Sequence, residues 1–322
     1  MAKPTNAQDR YDINNGVRED LIDKISRTDP EETPVMSSIG RSTAKQTYHE
    51  YQRDTLRSPN ADNAAIDGDA AVATARTDTA RLGNYAQIFQ DTISVTGRAE
   101  AVEKAGRASQ MAYNKAKAAI EVKRDIEASI LSNNVAASGS SGVASKSGGL
   151  GVHIYTNALH NGAGATAAHT SGAPTVAITA GTDRTFAVGL LQTAAKQCFN
   201  TAGKTPPMVV MSANHKTIAS SFAGIAANRM QQTKATAATI IGAADYYLSD
   251  FGVMAFVPHY IMNARTDVFG LDPKSIKLAY LRGWRTKKLG DVGDSTNEQM
   301  LVDVGLEVLT EKNMFKIANL TA

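Results

Sequence analysis

The chain has 322 residues, and 34 Lys and Arg against 31 Asp and Glu leave a formal net charge of +3. That near balance lacks the basic stripe of a dedicated nucleic-acid binder, and no apolar run approaches the ~18 residues of a membrane span. The single cysteine, Cys198, excludes an intrachain disulfide and fits a reducing compartment.

The N-terminal stretch from Met1 to Gly16 is polar, has no apolar signal-peptide core, and reads as an extended arm made in the cytoplasm. Val17, Leu21 and Ile25 at i, i+4, i+8 predict a short amphipathic helix that Asp29-Pro30 closes. Val35, Met36 and Ile39 are too apolar for a floating arm and are expected to dock on a body. Two strand-like runs follow, Thr47 to Thr55 and Tyr85 to Thr96, read as a long hairpin whose polar excursion spans Leu56 to Asn84. Neither face of the first strand is cleanly apolar, which suits a projecting ribbon better than a sandwich core.

Ala99 to Leu131 contains no Pro and, apart from Gly106, no Gly, and predicts one helix roughly 50 Å long. Its contact stripe is read as Val102, Ala105, Ala112, Ala116, Ala119, Ile126 and Ile130. From Ser132 to Gly181 the chain is rich in Gly, Ala and Ser and reads as surface loops, with short strands at 152–155 and 176–178. Thr182-Asp183-Arg184 is expected to cap a helix from Thr185 to Asn200 that Gly203 stops. Pro207 to Met211 reads as a buried strand and His215 to Ala226 as a helix. Tyr246 to Pro258 reads as a hairpin with its turn near Ser249–Gly252. Strands are also expected at 268–271 and 276–281. Val302, Val304, Leu306 and Val308 alternate with Asp303, Gly305 and Glu307, the pattern of a half-buried strand.

The chemistry expected of an enzyme is missing from the pattern. Lys146-Ser147 lacks the glycine of a phosphate loop, and no Gly-x-Ser-x-Gly elbow occurs. His153, His160 and His169 cluster without Cys or carboxylate at ligand spacing and read as exposed loop histidines. Cys198 reads as a small buried residue on a helix. No catalytic, metal or cofactor residue is nominated.

The order of elements resembles the major capsid protein of tailed bacteriophages with the HK97-type fold, and within it the SU10-type major head proteins. The motifs that carry the resemblance are Gly16–Leu21 with Asp29–Pro34, Thr47–Gln52, Ser249–Gly252, Leu271–Pro273, Ala279–Arg282, Gly293–Ser295, and Leu306–Val308 with Glu311-Lys312. The resemblance implies an α+β fold with an N-terminal arm (1–44), an extended β-hairpin loop (45–97), and a peripheral domain with spine helix and Gly-rich loops (98–181). An axial domain (182–284) and a return to the peripheral domain (285–322) complete it. It implies a structural protein of the virion, assembled in the host cytoplasm. Hexamers and pentamers would close an icosahedral shell around double-stranded DNA, held by weak non-specific contact. A portal and a separate scaffolding protein are expected partners, the latter because the arm signature begins by Gly16. The resemblance leaves a decoration protein open as a further partner, and implies no membrane. No Lys lies between Lys45 and Lys104, so no cross-link is expected to start at the loop tip. Arg53, Arg57, Asp67, Asp69, Arg76 and Arg81 are the residues expected to contact neighbouring subunits, through charge pairs that are individually weak. The alternatives are an encapsulin-like compartment shell and a soluble α/β enzyme with its site between Pro207 and His259.

Overall fold

The computed structural model describes residues 25–68, 70–222, 245–290 and 293–321. The helix expected from Val17 lies outside this range apart from Ile25, as does the end of the helix expected to reach Ala226.

In chain order the elements are α1 (Pro34–Ser38), β1 (Gly40–Thr43), β2 (Tyr48–Arg53), β3 (Ala80–Tyr85), β4 (Gln87–Thr96), α2 (Gly97–Ala101) and α3 (Gln110–Ile130). They continue with α4 (Leu150–His153), β5 (Ala158–Leu159), α5 (Val188–Ala202), β6 (Met208–Met211), α6 (Ala213–Ser220), β7 (Tyr246–Ser249) and β8 (Gly252–Pro258). Last come β9 (Val268–Leu271), β10 (Ile276–Lys288), β11 (Ser295–Val308) and β12 (Phe315–Ile317). The strands form a four-stranded sheet, β1-β10-β11-β4, a six-stranded sheet, β5-β12-β9-β6-β8-β7, and the separate ribbon β2-β3.

The hairpin differs from the sequence expectation in its second leg. β2 pairs with β3, Tyr48 opposite Tyr85 and Arg53 opposite Ala80, while β4 pairs with β11 in the four-stranded sheet. The run from Tyr85 to Thr96 therefore divides at buried Ala86. The reason is amphipathicity: Phe89, Ile93 and Val95 alternate with exposed residues and need a helix to cover them, which a projecting ribbon lacks.

The long helix is also shorter than expected. α3 has 21 residues, about 31 Å at the usual rise, and a loop containing Gly106 at φ +73° separates it from α2. Two capping groups set its start. Ser109 Oγ accepts from Ala112 N, and the Glu100 carboxylate accepts from Gln110 N at 2.9 Å. Ala118, Val122, Ile126 and Ile130 form the buried stripe. Of the expected stripe only Ile126 and Ile130 are in it; Val102, Ala112 and Ala116 are exposed, and Ala105 and Ala119 half-buried. Without one continuous helix, positions before Gly106 lose phase with those after it.

α1 docks as expected, with Val35, Met36 and Ile39 buried in the core that α3 shares with the four-stranded sheet. Residues 150–153 form a helical turn instead of a strand, and 176–178 form no strand. Thr182–Arg184 is not the cap of α5, whose N-cap is Ala187; Arg184 instead bridges to Leu320. Gly203 ends α5 in the left-handed conformation at φ +71°, where glycine has no steric penalty. β6 is buried because alternate residues serve two cores. Val210 joins Phe269 and Leu271 on the α3 side, while Val209 and Met211 pack with Leu191, Ala194 and Cys198 of α5.

β11 is buried on both faces at its C-terminal end, not half-buried. Asp303 is paired with Arg282 at 3.1 Å, and Glu307 accepts from Ser42 Oγ, with His49 Nε2 at 3.3 Å. Pairing lets carboxylates occupy a buried strand that alternation alone assigns to solvent. A boundary at 284/285 falls inside β10, and the chain leaves the four-stranded sheet after Val308 to place β12 between β5 and β9.

Candidate assembly surface

The β2-β3 ribbon is pinned at its root. Gly83 N donates to Gly172 O at 3.1 Å and Gly172 N to Arg81 O at 2.9 Å, so the glycine-rich loop borders β3. A side chain at Gly83 would lie 2.6 Å from the Tyr48 ring, which explains the glycine there. Buried Asn84 is the main fastener. Its Nδ2 donates to Leu306 O at 2.8 Å and its Oδ1 accepts from Gly148 N at 2.8 Å, tying the ribbon to β11 and to the glycine-rich segment. The Tyr48 and Tyr85 rings meet across the strands, centroids 4.8 Å apart and tilted at 40°. Burial pushes the Tyr51 hydroxyl well above its ordinary pKa.

The tip has the opposite character, since every described residue from Asp54 to Thr79 is exposed. The six nominated contact residues divide between these two regimes. Arg53 is turned into its own subunit, where it donates to Tyr155 Oη at 3.1 Å and sits 3.9 Å from Glu311. Arg81 pairs with Glu50 across the ribbon at 2.6 Å, on the surface. Arg57 donates to the neighbouring Ser58 carbonyl at 3.1 Å. Asp67 and Arg76 are exposed on the tip, and Asp69 lies outside the described residues. Sequence reasoning missed Asn84, Gly172 and Ser147, whose Oγ accepts from Asn84 Nδ2 at 3.1 Å and from Leu306 N at 3.2 Å; their role arises only when the glycine-rich loop folds back on the ribbon.

The histidines are not the exposed loop residues expected. His153 is buried, with Asn84 Nδ2 at 3.2 Å from Nε2 and the His169 ring 5.6 Å away, edge-on. Burial lowers the His153 pKa to about 3. Burial and then Arg53 lower that of His169 to about 4, so both rings are neutral. His160 is half-buried, with Nε2 2.8 Å from Thr166 Oγ1. Among the described residues no three His, Cys, Asp or Glu side chains converge to hold a metal, and no helix is long and apolar enough to cross a membrane. Cys198 is buried on α5 as expected, and burial pushes its thiol up to about 12. That is the reverse of an activated nucleophile.

Comparison with known proteins places this geometry. The SU10 major capsid protein family matches residues 3–321. The chain is 32% identical over 132 residues to the major capsid protein of Escherichia phage Phieco32, a match covering 41% of this chain and 37% of that relative. It therefore spans little more than a third of the curated relative's length. Among solved structures, the cyanophage A-1(L) capsid asymmetric unit superposes with a TM-score of 0.61 at 12% identity, covering 95% of this chain and 98% of that one. The SrpI encapsulin complex from Synechococcus elongatus superposes at 0.51 and 10% identity, covering 92% of each. At such identities these structures establish the capsid fold alone. The family match over almost the whole length carries the assignment: the chain belongs to the SU10 major capsid protein family.

Proposed function

We propose that this phage major capsid protein self-associates into hexamers and pentamers that close an icosahedral head around double-stranded DNA. In this reading residues 1–44 are the N-terminal arm and 45–97 the extended loop. Residues 98–181 and 285–322 make the peripheral domain and 182–284 the axial domain. The observation that carries it is the ribbon fastened at its root while every described residue of its tip from Asp54 to Thr79 faces solvent. An isolated subunit gains nothing from such an arm; a subunit in a shell can lay it on a neighbour. Arg57, Asp67, Asp69 and Arg76 are the contact residues of that tip, with Arg81 at its margin. Arg53 braces the root from within. A separate scaffolding protein, a portal and possible additional decoration proteins are the partners of assembly in the host cytoplasm. DNA is held by weak, sequence-independent contact. Low-aromatic, alanine-rich faces suit interfaces that anneal reversibly before they lock.

Expressing the chain with and without its upstream neighbour gene, followed by electron microscopy, tests this. Closed shells or tubes are expected, and a homogeneous monomer under both conditions overturns the reading. The encapsulin-like alternative keeps the shell and changes its contents, so particles carrying a cargo enzyme instead of DNA favour it.

A further inference from the structure

Two imidazoles sit where the ribbon meets the body. His153 ends α4 and is 1% exposed, and His169 comes from the glycine-rich loop. Their rings meet edge-on at 5.6 Å, and the Tyr155 ring lies 4.8 Å from His169. The ribbon reaches this pair from both of its strands. Asn84, near the end of β3, places Nδ2 3.2 Å from His153 Nε2. Arg53, the last residue of β2, donates to Tyr155 Oη at 3.1 Å and is the charged group that faces His169.

This arrangement requires neutral rings. Asn84 Nδ2 is a donor, so His153 Nε2 must be bare to accept from it. A proton there sets N–H against N–H in a buried site, at the amide that also holds Leu306 O, Ser147 Oγ and Gly148 O. His169 Nδ1 is buried and has no hydrogen-bond partner among the described residues. A charged His169 carries hydrogen on both nitrogens, so that N–H lacks an acceptor and the new charge faces the Arg53 guanidinium. The other charged groups of the root do not relieve this. Glu311 is engaged by Thr156 Oγ1 at 2.6 Å and lies 3.9 Å from Arg53. Burial raises the Glu311 pKa, so that carboxyl acts in the opposite sense, one group against two. His49 lies 3.3 Å from Glu307, and a protonated His49 still donates to it, so that link survives acid.

We propose that His153 and His169 form a proton-operated release: once both rings are charged, Asn84 and Arg53 let go and the β2-β3 ribbon separates from the body while both cores stay folded. The release lies within one subunit and does not depend on the shell-forming reading. The ribbon's own ladder, from Tyr48–Tyr85 to Arg53–Ala80, is left intact. Burial holds His153 at about 3, and burial with Arg53 holds His169 at about 4, whereas a released ring titrates at about 6.5. Both values are depressed in the closed state, so closure is fully favoured above about pH 6.5 and weakens as the pH falls. At pH 5 one released ring favours the open ribbon roughly thirtyfold. His169 is half-buried and partly screened by solvent, so the pair together is expected to supply roughly a hundredfold.

Hydrogen exchange of the unassembled full chain tests this. The amides of Gly83, Gly148 and Gly172, bonded to Gly172 O, Asn84 Oδ1 and Arg81 O, report on the root. From pH 7 to 5, corrected for intrinsic rates, their opening should rise roughly a hundredfold. It should respond little to low urea, because a local opening exposes little surface. The combined His153→Gln and His169→Gln variant keeps an acceptor toward Asn84 and does not titrate, so its rise should stay under about threefold. Each single variant should keep about half of the wild-type effect on a logarithmic scale, which decides the matter where the double variant does not fold. A wild-type rise under about tenfold overturns the proposal. So does a rise as steeply dependent on urea as that of the β6 amides, which marks global unfolding, or an undiminished rise in the folded double or single variants.

Discussion

Glu127 offers the sharpest test of how the arm is attached. Its buried carboxylate lies on α3 and accepts from Val35 N at 2.8 Å and Met36 N at 2.7 Å, the first amides of α1. His259 Nε2 lies 2.9 Å from the same carboxylate. Ile261 N donates to His259 Nδ1 at 3.1 Å, which leaves the proton on Nε2 and makes His259 a neutral donor to Glu127. One carboxylate thus joins the arm, the helix and the segment after β8. Glu127→Gln keeps the size but turns an amide NH2 toward groups that also donate. Hydrogen bonds to a charged acceptor contribute about 1.5–3 kcal/mol each and are not additive. Leaving a buried donor of this cluster without its acceptor costs about 1–3 kcal/mol. Urea denaturation of the unassembled subunit should show that loss, together with faster hydrogen exchange at the Val35 and Met36 amides. A loss under about 1 kcal/mol with unchanged exchange at both amides would refute the reasoning.

Acid should weaken the ribbon root. His153 has a lowered folded pKa of about 3, so below its unfolded value of about 6.5 the unfolded chain binds the extra proton and stability falls. The expected loss is about 2 kcal/mol between pH 6.5 and 5, read as a urea midpoint and flattened in His153→Leu. Buried Lys316, which donates to Gly151 O and Thr166 Oγ1 at 2.7 Å, acts at the other end of the scale. Its pKa is lowered to about 8, so stability should rise by about 1 kcal/mol from pH 8 to 9, where the native amine gives up its proton and the unfolded chain keeps it. Lys316→Met should abolish that slope. Cys198 should resist a thiol reagent in the native subunit and react after denaturation; fast native labelling would contradict its burial.

Local patterns carried much of the fold. The Met208–Met211 run, the Ser249–Gly252 turn and the Gly203 stop depend on neighbours a few residues away, so they were legible in the chain. The end of the long helix was legible, but its start was not. Glu100 caps α3 from across a loop, and no periodicity encodes that bond. Asp303 and Glu307 looked like solvent positions because their partners, Arg282, Ser42 and His49, lie on other strands. Among the nominated contact residues, Arg57, Asp67 and Arg76 are exposed at the tip, whereas Arg53 is engaged by Tyr155, far away in sequence.

By itself the sequence determined the order of elements, the polar projecting loop and the family. Each follows from composition, short-range spacing or motif order along the chain. Tertiary structure decided which strand closes the ribbon, where the spine helix begins, and which carboxylates and histidines are buried. Those outcomes depend on hydrogen bonds and packing between segments up to hundreds of residues apart, such as Asn84 with Leu306, whose free energies are settled only when the whole chain is folded.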